Sequence, residues 1–263
     1  MALLPSAVKA GMKRLGLYEP ARRLWFSVSR PPWWEMEQVQ RRLYRSLVYK
    51  GDLCFDIGGN EGEKTAVFRR LGARVVVVEP QPPCIERLRR RFASDTGVEV
   101  VGSAVGDRAG EAKMMCSAAS TQTGSLSAQW VERVKESGRL PGREWETQIV
   151  VPVTTLDLLI ARYGEPAFCK IDVEGYEPQV LAGLSTPIRA LSFEYTPECP
   201  EPSTHCIHRL CDLGRYEFNY AVMDEDNLKL SAWVKAEEMV TILQSIADGR
   251  GGEPKGDIYA RRL

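Results

Sequence analysis

From Gly51 onward the chain alternates short, wholly apolar runs with segments of helical periodicity, and this alternation narrows the possible folds more than any other feature. Leu53 to Ile57, Arg74 to Val78 with its four consecutive valines, Val98 to Val105, Ile149 to Val153, Phe168 to Val173, Ala190 to Tyr195 and Tyr216 to Met223 read as strands. A strand that is apolar along its whole length must be covered on both faces, as in a parallel sheet flanked by helices. Helices are expected at Glu63 to Leu71, closed by Gly72, and after Pro82-Pro83, where Ile85, Leu88 and Phe92 recur at helical spacing. Further helices follow at Leu156 to Arg162, where Thr154 and Asp157 suggest a capping box, through Val180 and Leu181 to Gly183, and at Thr204 to Leu213. Asp257 to Arg261 reads as an edge or antiparallel final strand, and residues 117–148 as a polar loop or loosely helical excursion. The expected class is α/β, with a mostly parallel, doubly wound sheet.

The first fifty residues differ from this pattern. They hold ten Lys or Arg against three acids, together with Trp25, Trp33, Trp34, Tyr18, Tyr44 and Tyr49, and their helical periodicity is broken at Pro20 and at Pro31-Pro32. Residues 1–50 are therefore read as a basic, aromatic helical extension, either a packing layer or a lid, and residues 51–263 as the main domain. The whole chain carries 35 basic and 35 acidic side chains, so residues 51–263 carry 25 and 32, and the zero net charge is a balance between two regions. That balance argues against a dedicated nucleic-acid binder. No run approaches the roughly 18 apolar residues of a membrane span. The seven cysteines are scattered without a Cys-x-x-Cys pair and read as reduced thiols of a cytoplasmic protein. Nothing in the sequence specifies the oligomeric state.

The chemistry concentrates where strands end. Asp56-Ile57-Gly58-Gly59-Asn60-Glu61-Gly62 closes the first core strand and opens a helix, the place where open parallel sheets bind ligands. Glu79 ends the next strand, 21 residues beyond Gly58, the spacing at which a carboxylate accepts hydrogen bonds from ribose hydroxyls. A dinucleotide fingerprint would need glycine where Asn60 stands, which weakens pyrophosphate binding. An acid ahead of the glycines instead suits S-adenosylmethionine, whose ammonium group Asp56 can hold.

Strand alternation puts Lys170 and Asp172 on one face of their strand, with Asp172 at its ligand-facing tip, Glu174 in the turn beyond it and Glu194 at the end of the following strand. Asp172 or Glu174 can act as base or acceptor ligand with Lys170 tuning the local charge. Alternatively, Lys170 and Asp172 form a structural ion pair and Glu174 caps the next helix. Acids converging on one rim also suit Mg²⁺ or Ca²⁺, but oxygen ligands have no diagnostic spacing and no metal is assigned. His205 and His208, one helical turn apart, are read as surface or packing residues rather than as a zinc pair or general base.

Asp56-x-Gly58-x-Asn60-x-Gly62, Glu79-Pro80, Ala104-Val105-Gly106-Asp107, Thr154-Thr155-Leu156-Asp157, Lys170-Ile171-Asp172-Val173-Glu174-Gly175 and Phe193-Glu194 together resemble, in order, the motifs of the FkbM-family methyltransferases. The resemblance spans about Gly51 to Glu198. It implies a Rossmann-like class I methyltransferase fold that uses S-adenosylmethionine, usually to O-methylate a hydroxyl of a sugar, polyketide or related small-molecule or glycan acceptor. It further implies that Asp56, Gly58, Asn60 and Gly62 line the methionine moiety, that Glu79 holds the ribose, and that Ser103 and Ala104 lie near the adenine. Gly102 departs from the family pattern, which often has Asn there. Thr121 to Leu126 is similar to a family loop that reaches the acceptor, or is a plain polar linker. The residues alone leave two other readings open: a nicotinamide-dependent oxidoreductase on a related sheet, and a non-catalytic adaptor that keeps the fold.

Overall fold

The computed structural model describes residues 40–118, 120–223, 227–248 and 255–263. The expectations for Tyr18, Trp25, Trp33, Trp34 and the proline breaks fall outside them. In chain order the elements are β1 Leu53–Ile57, α1 Glu63–Arg70, β2 Arg74–Val78, α2 Pro82–Arg91, β3 Val98–Val101, β4 Ala104–Val105, β5 Gly110–Ser117, β6 Ser120–Ser125 and α3 Ala128–Ser137. They continue with β7 Thr147–Thr154, α4 Leu156–Tyr163, β8 Phe168–Ile171, α5 Glu177–Ala182, β9 Ala190–Tyr195, α6 Pro200–Leu213, β10 Tyr216–Val222, α7 Ala236–Ala247 and β11 Gly256–Arg262.

Seven strands form the main sheet in the order β10-β11-β9-β8-β1-β2-β3, parallel except for β11, which runs antiparallel to both its neighbours. The valine run explains why this sheet is buried on both sides. Val76 and Val78 join Phe55, Ile57, Leu181, Phe193 and Ile207 in one core, while Val75 and Cys54 face the other with Phe68 and Phe168. Period-two alternation sends successive side chains to opposite faces, so only a segment apolar at both parities satisfies both. The second core is completed by Leu43, Tyr44, Leu47 and Val48. The Tyr44 ring meets Phe68 and Phe168 edge-on, at centroid distances of 5.0 and 5.5 Å. Arg189 donates to Leu47 O at 2.8 Å and to Asp52 Oδ2 at 2.6 Å, which fastens this segment to the sheet.

The structure departs from expectation in four places. The run Val98 to Val105 is two strands: Ser103 turns the chain, its hydroxyl donating to Ala104 O and Pro152 O, so β3 stays in the main sheet and β4 enters a second one. Residues 117–148 are not a plain loop. β6 and α3 lie within them, and β6 forms the edge of a four-stranded sheet ordered β4-β7-β5-β6. The cap of α4 is shifted by one residue: the Thr155 hydroxyl accepts from Leu158 N, and Asp157 binds Ser185 N instead of reaching back. Finally, β11 is antiparallel as expected but lies inside the sheet, where β9 and β10 satisfy both its edges.

Candidate active site

A cavity of about 280 Å³ opens at the carboxyl ends of β1, β2, β8 and β9. Its first wall is the turn after β1. Gly58 and Gly59 donate to Val78 O at 2.9 and 3.2 Å, and Gly58 has a φ of +81°. A side chain at Gly58 would overlap the carbonyl of Asp172, so this glycine lets the turns after β1 and β8 approach each other. Asn60 has a left-handed φ of +44° and donates its N–H to Glu79 Oε2 at 2.9 Å. The other oxygen of Glu79, Oε1, accepts Gln81 N at 2.9 Å. Burial holds the Glu79 carboxyl above its ordinary range, against these two N–H donors.

Asp56 is buried and accepts the Thr65 hydroxyl at 2.5 Å, and burial raises its carboxyl despite that bond and the Lys170 cation. Ser103 and Ala104 also line the cavity, as do Thr121, Gln122 and Gly124 of β6. The Gln81 amide donates to Thr121 O at 2.8 Å, and the Thr121 hydroxyl donates to Asn60 Oδ1 at 3.1 Å, so the second sheet is tied directly to the Asn60 turn. Two expected residues stand behind the wall. Gly62 caps α1 in a left-handed conformation where a side chain would strike Leu88 and Phe92, and it does not line the cavity. Nor does Lys170, which is buried beneath it.

The far wall is acidic. Lys170 Nζ lies 3.0 Å from Asp172 Oδ2 and 3.0 Å from Asp257 Oδ1, a buried bridge between β8 and β11. Burial works against the ionised form of Asp172, but the Lys170 and Lys255 cations outweigh it and hold the carboxyl below its usual range. Glu174 does not cap α5, whose N-cap is Tyr176 without a side-chain bond. It occupies a left-handed φ of +55°, with its carbonyl accepting the Ser125 hydroxyl at 2.7 Å and its carboxylate 3.3 Å from Lys255 Nζ. Lys255 Nζ also lies 2.5 Å from Glu194 Oε1. Burial raises Glu174, and burial together with the charge of Glu174 raises Glu194 well above the carboxylate range.

The residue that steadies this turn is one the sequence reading does not single out. Glu177 Oε1 accepts Val173 N at 3.1 Å and Gly175 N at 3.3 Å, while burial and then the charge of Glu194 push its carboxyl up to about 8. Its ordinary value is 4.5, so between about pH 4.5 and 8 the folded chain holds a proton that the unfolded chain has released. The stability contributed by Glu177 is complete below that window and falls as pH rises through it, by up to about 1.4 kcal/mol per pH unit. Thermal unfolding measured across this range is expected to lose part of its downward slope with pH in Glu177→Gln; an unchanged slope would remove the assignment.

Lys255, Asp257, Gln81 and Tyr176 are further cavity residues that the sequence does not mark. Lys255, just before β11, and Asp257, in it, reach the site some sixty to ninety residues from the Glu174, Glu194 and Lys170 side chains they pair with, and no local spacing signals that approach. His205 and His208 lie exposed on α6, away from the cavity. All seven cysteines are unpaired and six are buried. No helix among the described residues is long and apolar enough to cross a membrane.

No curated protein matches the sequence significantly. Among solved structures, precorrin-6Y C5,15-methyltransferase of Geobacter metallireducens is 10% identical, with 87% of this chain and 88% of that one covered at a TM-score of 0.45. A Streptococcus mutans protein assigned as a methyltransferase and solved with S-adenosylhomocysteine is 10% identical, with 89% and 99% covered at 0.42. The 23S rRNA methyltransferase ErmE is 11% identical, with 86% and 68% covered at 0.38. TM-scores this low decide nothing further. Residues 56–228, from the acid that opens the Gly58 turn to beyond β10, match the Methyltransferase FkbM domain. With the turn, Glu79 and the Lys170 to Gly175 segment all inside that match, the chain belongs to the FkbM family of S-adenosylmethionine-dependent methyltransferases.

Proposed function

We propose that the chain methylates a hydroxyl oxygen of a small metabolite or glycan, with a carboxylate of the acidic wall taking the hydroxyl proton. The observation that carries this reading is the two-ended cavity: the Gly58–Asn60 turn and Glu79 at one end, Asp172, Glu174 and Glu194 at the other. S-adenosylmethionine, when bound, would supply an electrophilic methyl group, the carbon–sulfur bonding pair remaining on sulfur as the acceptor oxygen provides the pair for the new bond. Glu79 accepts the two ribose hydroxyls through the lone pairs its backbone partners leave open. Asp56 faces the ammonium group, Gly58 and Asn60 admit the methionine chain to the backbone, and Ser103 with Ala104 flanks the adenine. Gly62 contributes through the turn it permits.

Asp172 is the base in this reading because it lines the cavity at the tip of β8 and is ionised, although Lys170 and Lys255 lower its affinity for the proton it takes. Lys170 acts from beneath, fixing the carboxylate from its buried side. Unpaired cysteines fit a cytoplasmic setting. The packing of Leu43, Tyr44, Leu47 and Val48 on the sheet supports reading that part of the N-terminal region as a packing layer.

Calorimetry with S-adenosylhomocysteine tests the cofactor end, and transfer of labelled methyl to the small-molecule fraction of a cell extract tests the reaction. Asp172→Asn is expected to keep cofactor affinity while transfer falls about 10² to 10⁴-fold, the range for a lost general base. Full transfer by Asp172→Asn would remove its role.

A further inference from the structure

The ligating oxygens of Asp172, Glu174 and Glu194 all lie within 4.8 Å of one another. That separation is what oxygen ligands adopt around a small divalent cation, where metal–oxygen distances of about 2.1 to 2.4 Å place neighbouring and opposite ligands roughly 3 to 4.8 Å apart. The cluster already contains a cation. Lys255 Nζ contacts Glu194 Oε1 at 2.5 Å and Glu174 Oε1 at 3.3 Å, and Asp172 is near enough for its charge to act on the same ammonium. Glu194 is only 7% exposed, lines the cavity, and keeps its Oε2 without a hydrogen-bond partner. A buried acceptor left open is costly unless a ligand completes it.

We propose that Lys255 is a tethered cation: its ammonium occupies the position a divalent metal would take among Asp172, Glu174 and Glu194, and presents its remaining N–H to the acceptor oxygen. This rests on the methyl-transfer reading for the identity of that oxygen, but the cation site itself follows from the side chains. An ammonium has three donors, and Glu174 and Glu194 take two. The side chain of Lys255 is 40% exposed and belongs to the cavity wall, so the third donor is available to a bound molecule.

The backbone beneath is built to hold it there. Met223 N donates to Lys255 O at 2.8 Å. At Gly256, a side chain would come within 2.1 Å of Ala221 O and 2.9 Å of the Tyr195 ring, so the chain threads between β10 and β9 only because that residue is glycine. The opposite side of Asp172 is closed by Lys170, which also holds Asp257. Lys255 is thus the ammonium that reaches the open side of the cluster.

The test reads cation binding directly. Mn²⁺ is titrated, with electron paramagnetic resonance counting the free ion, into the full chain bound to S-adenosylhomocysteine. The native chain and Lys255→Arg, which both fill the cluster with a side-chain cation, are expected to bind Mn²⁺ weakly. Lys255→Met, similar in length but neutral, is expected to bind at least about tenfold more tightly because Glu174 and Glu194 lose their cation while Asp172 keeps only Lys170, and Glu194→Gln added to it is expected to abolish the gain. Equal Mn²⁺ affinity in the native chain and Lys255→Met would overturn the proposal, as would a gain that survives Glu194→Gln. If Lys255→Met fails to fold, Lys255→Gln decides in the same way. S-adenosylhomocysteine affinity is recorded separately, so failure of the cofactor reading is visible without affecting the Mn²⁺ result.

Discussion

Glu79→Ala is expected to lower the affinity for S-adenosylhomocysteine by about 100-fold or more, roughly 3 kcal/mol, in a calorimetric titration. Two losses combine. The ribose loses its carboxylate partner, and hydrogen bonds to charged groups each contribute about 1.5 to 3 kcal/mol. The loop also loses its brace, because Asn60 N and Gln81 N both donate to Glu79 and both would lose that acceptor, Gln81 N in a buried position. Glu79→Gln separates these effects. It retains one carbonyl acceptor, so it should recover part of the loop and less of the affinity. An affinity unchanged in Glu79→Ala would end the ribose assignment.

Gly58→Ala is the second large effect, and it acts through geometry. A Cβ there would lie 1.8 Å from the carbonyl oxygen of Asp172, on a residue with a φ of +81°. The obstacle is backbone, which cannot rotate aside, and the left-handed conformation adds about 1 to 2 kcal/mol for a residue with a side chain. We expect a total above about 4 kcal/mol, the range reached only by severe disruptions, visible as a thermal midpoint lowered by about 10 °C or more together with loss of cofactor binding. Gly102→Ala is the contrasting substitution: its Cβ would meet only the tip of Ile85 at 3.1 Å, which a small rotation relieves. Comparable damage from both would remove the close approach of the β1 and β8 turns as the cause.

The main sheet was readable because its residues carry their own evidence. Leu53–Ile57, Arg74–Val78 and Ala190–Tyr195 coincide with the apolar runs, and each is buried on both faces. Asp56, Gly58, Asn60 and Glu79 were equally legible, since they follow strands whose ends define the ligand side of any such sheet. The second sheet was not. β6 reads Ser-Thr-Gln-Thr-Gly-Ser, an edge strand with Thr121, Gln122 and Gly124 at the cavity and no apolar residue, so no apolar alternation announces it. α7 does carry helical spacing, at Met239, Val240, Leu243 and Ile246, and the same periodicity test would have found it. The acidic wall was half legible. Asp172 and Glu174 belong to a compact motif, whereas Lys255, Asp257 and Glu177 acquire their roles from distant neighbours.

The placement of β11 bears on how the protein assembles. In the main sheet β10 pairs only with β11, and β11 reaches β9 across more than sixty residues of chain. Such long closures are slow, and β10 can join the sheet only once β11 has docked. The same event brings in Lys255 and Asp257, which pair with side chains of β8, β9 and the turn after β8. Before it, the carboxylates of Asp172, Glu174 and Glu194 face one another without the ammonium of Lys255 among them, and Lys170 lacks Asp257. Completion of the sheet and pairing of the acidic wall with Lys255 are therefore one step.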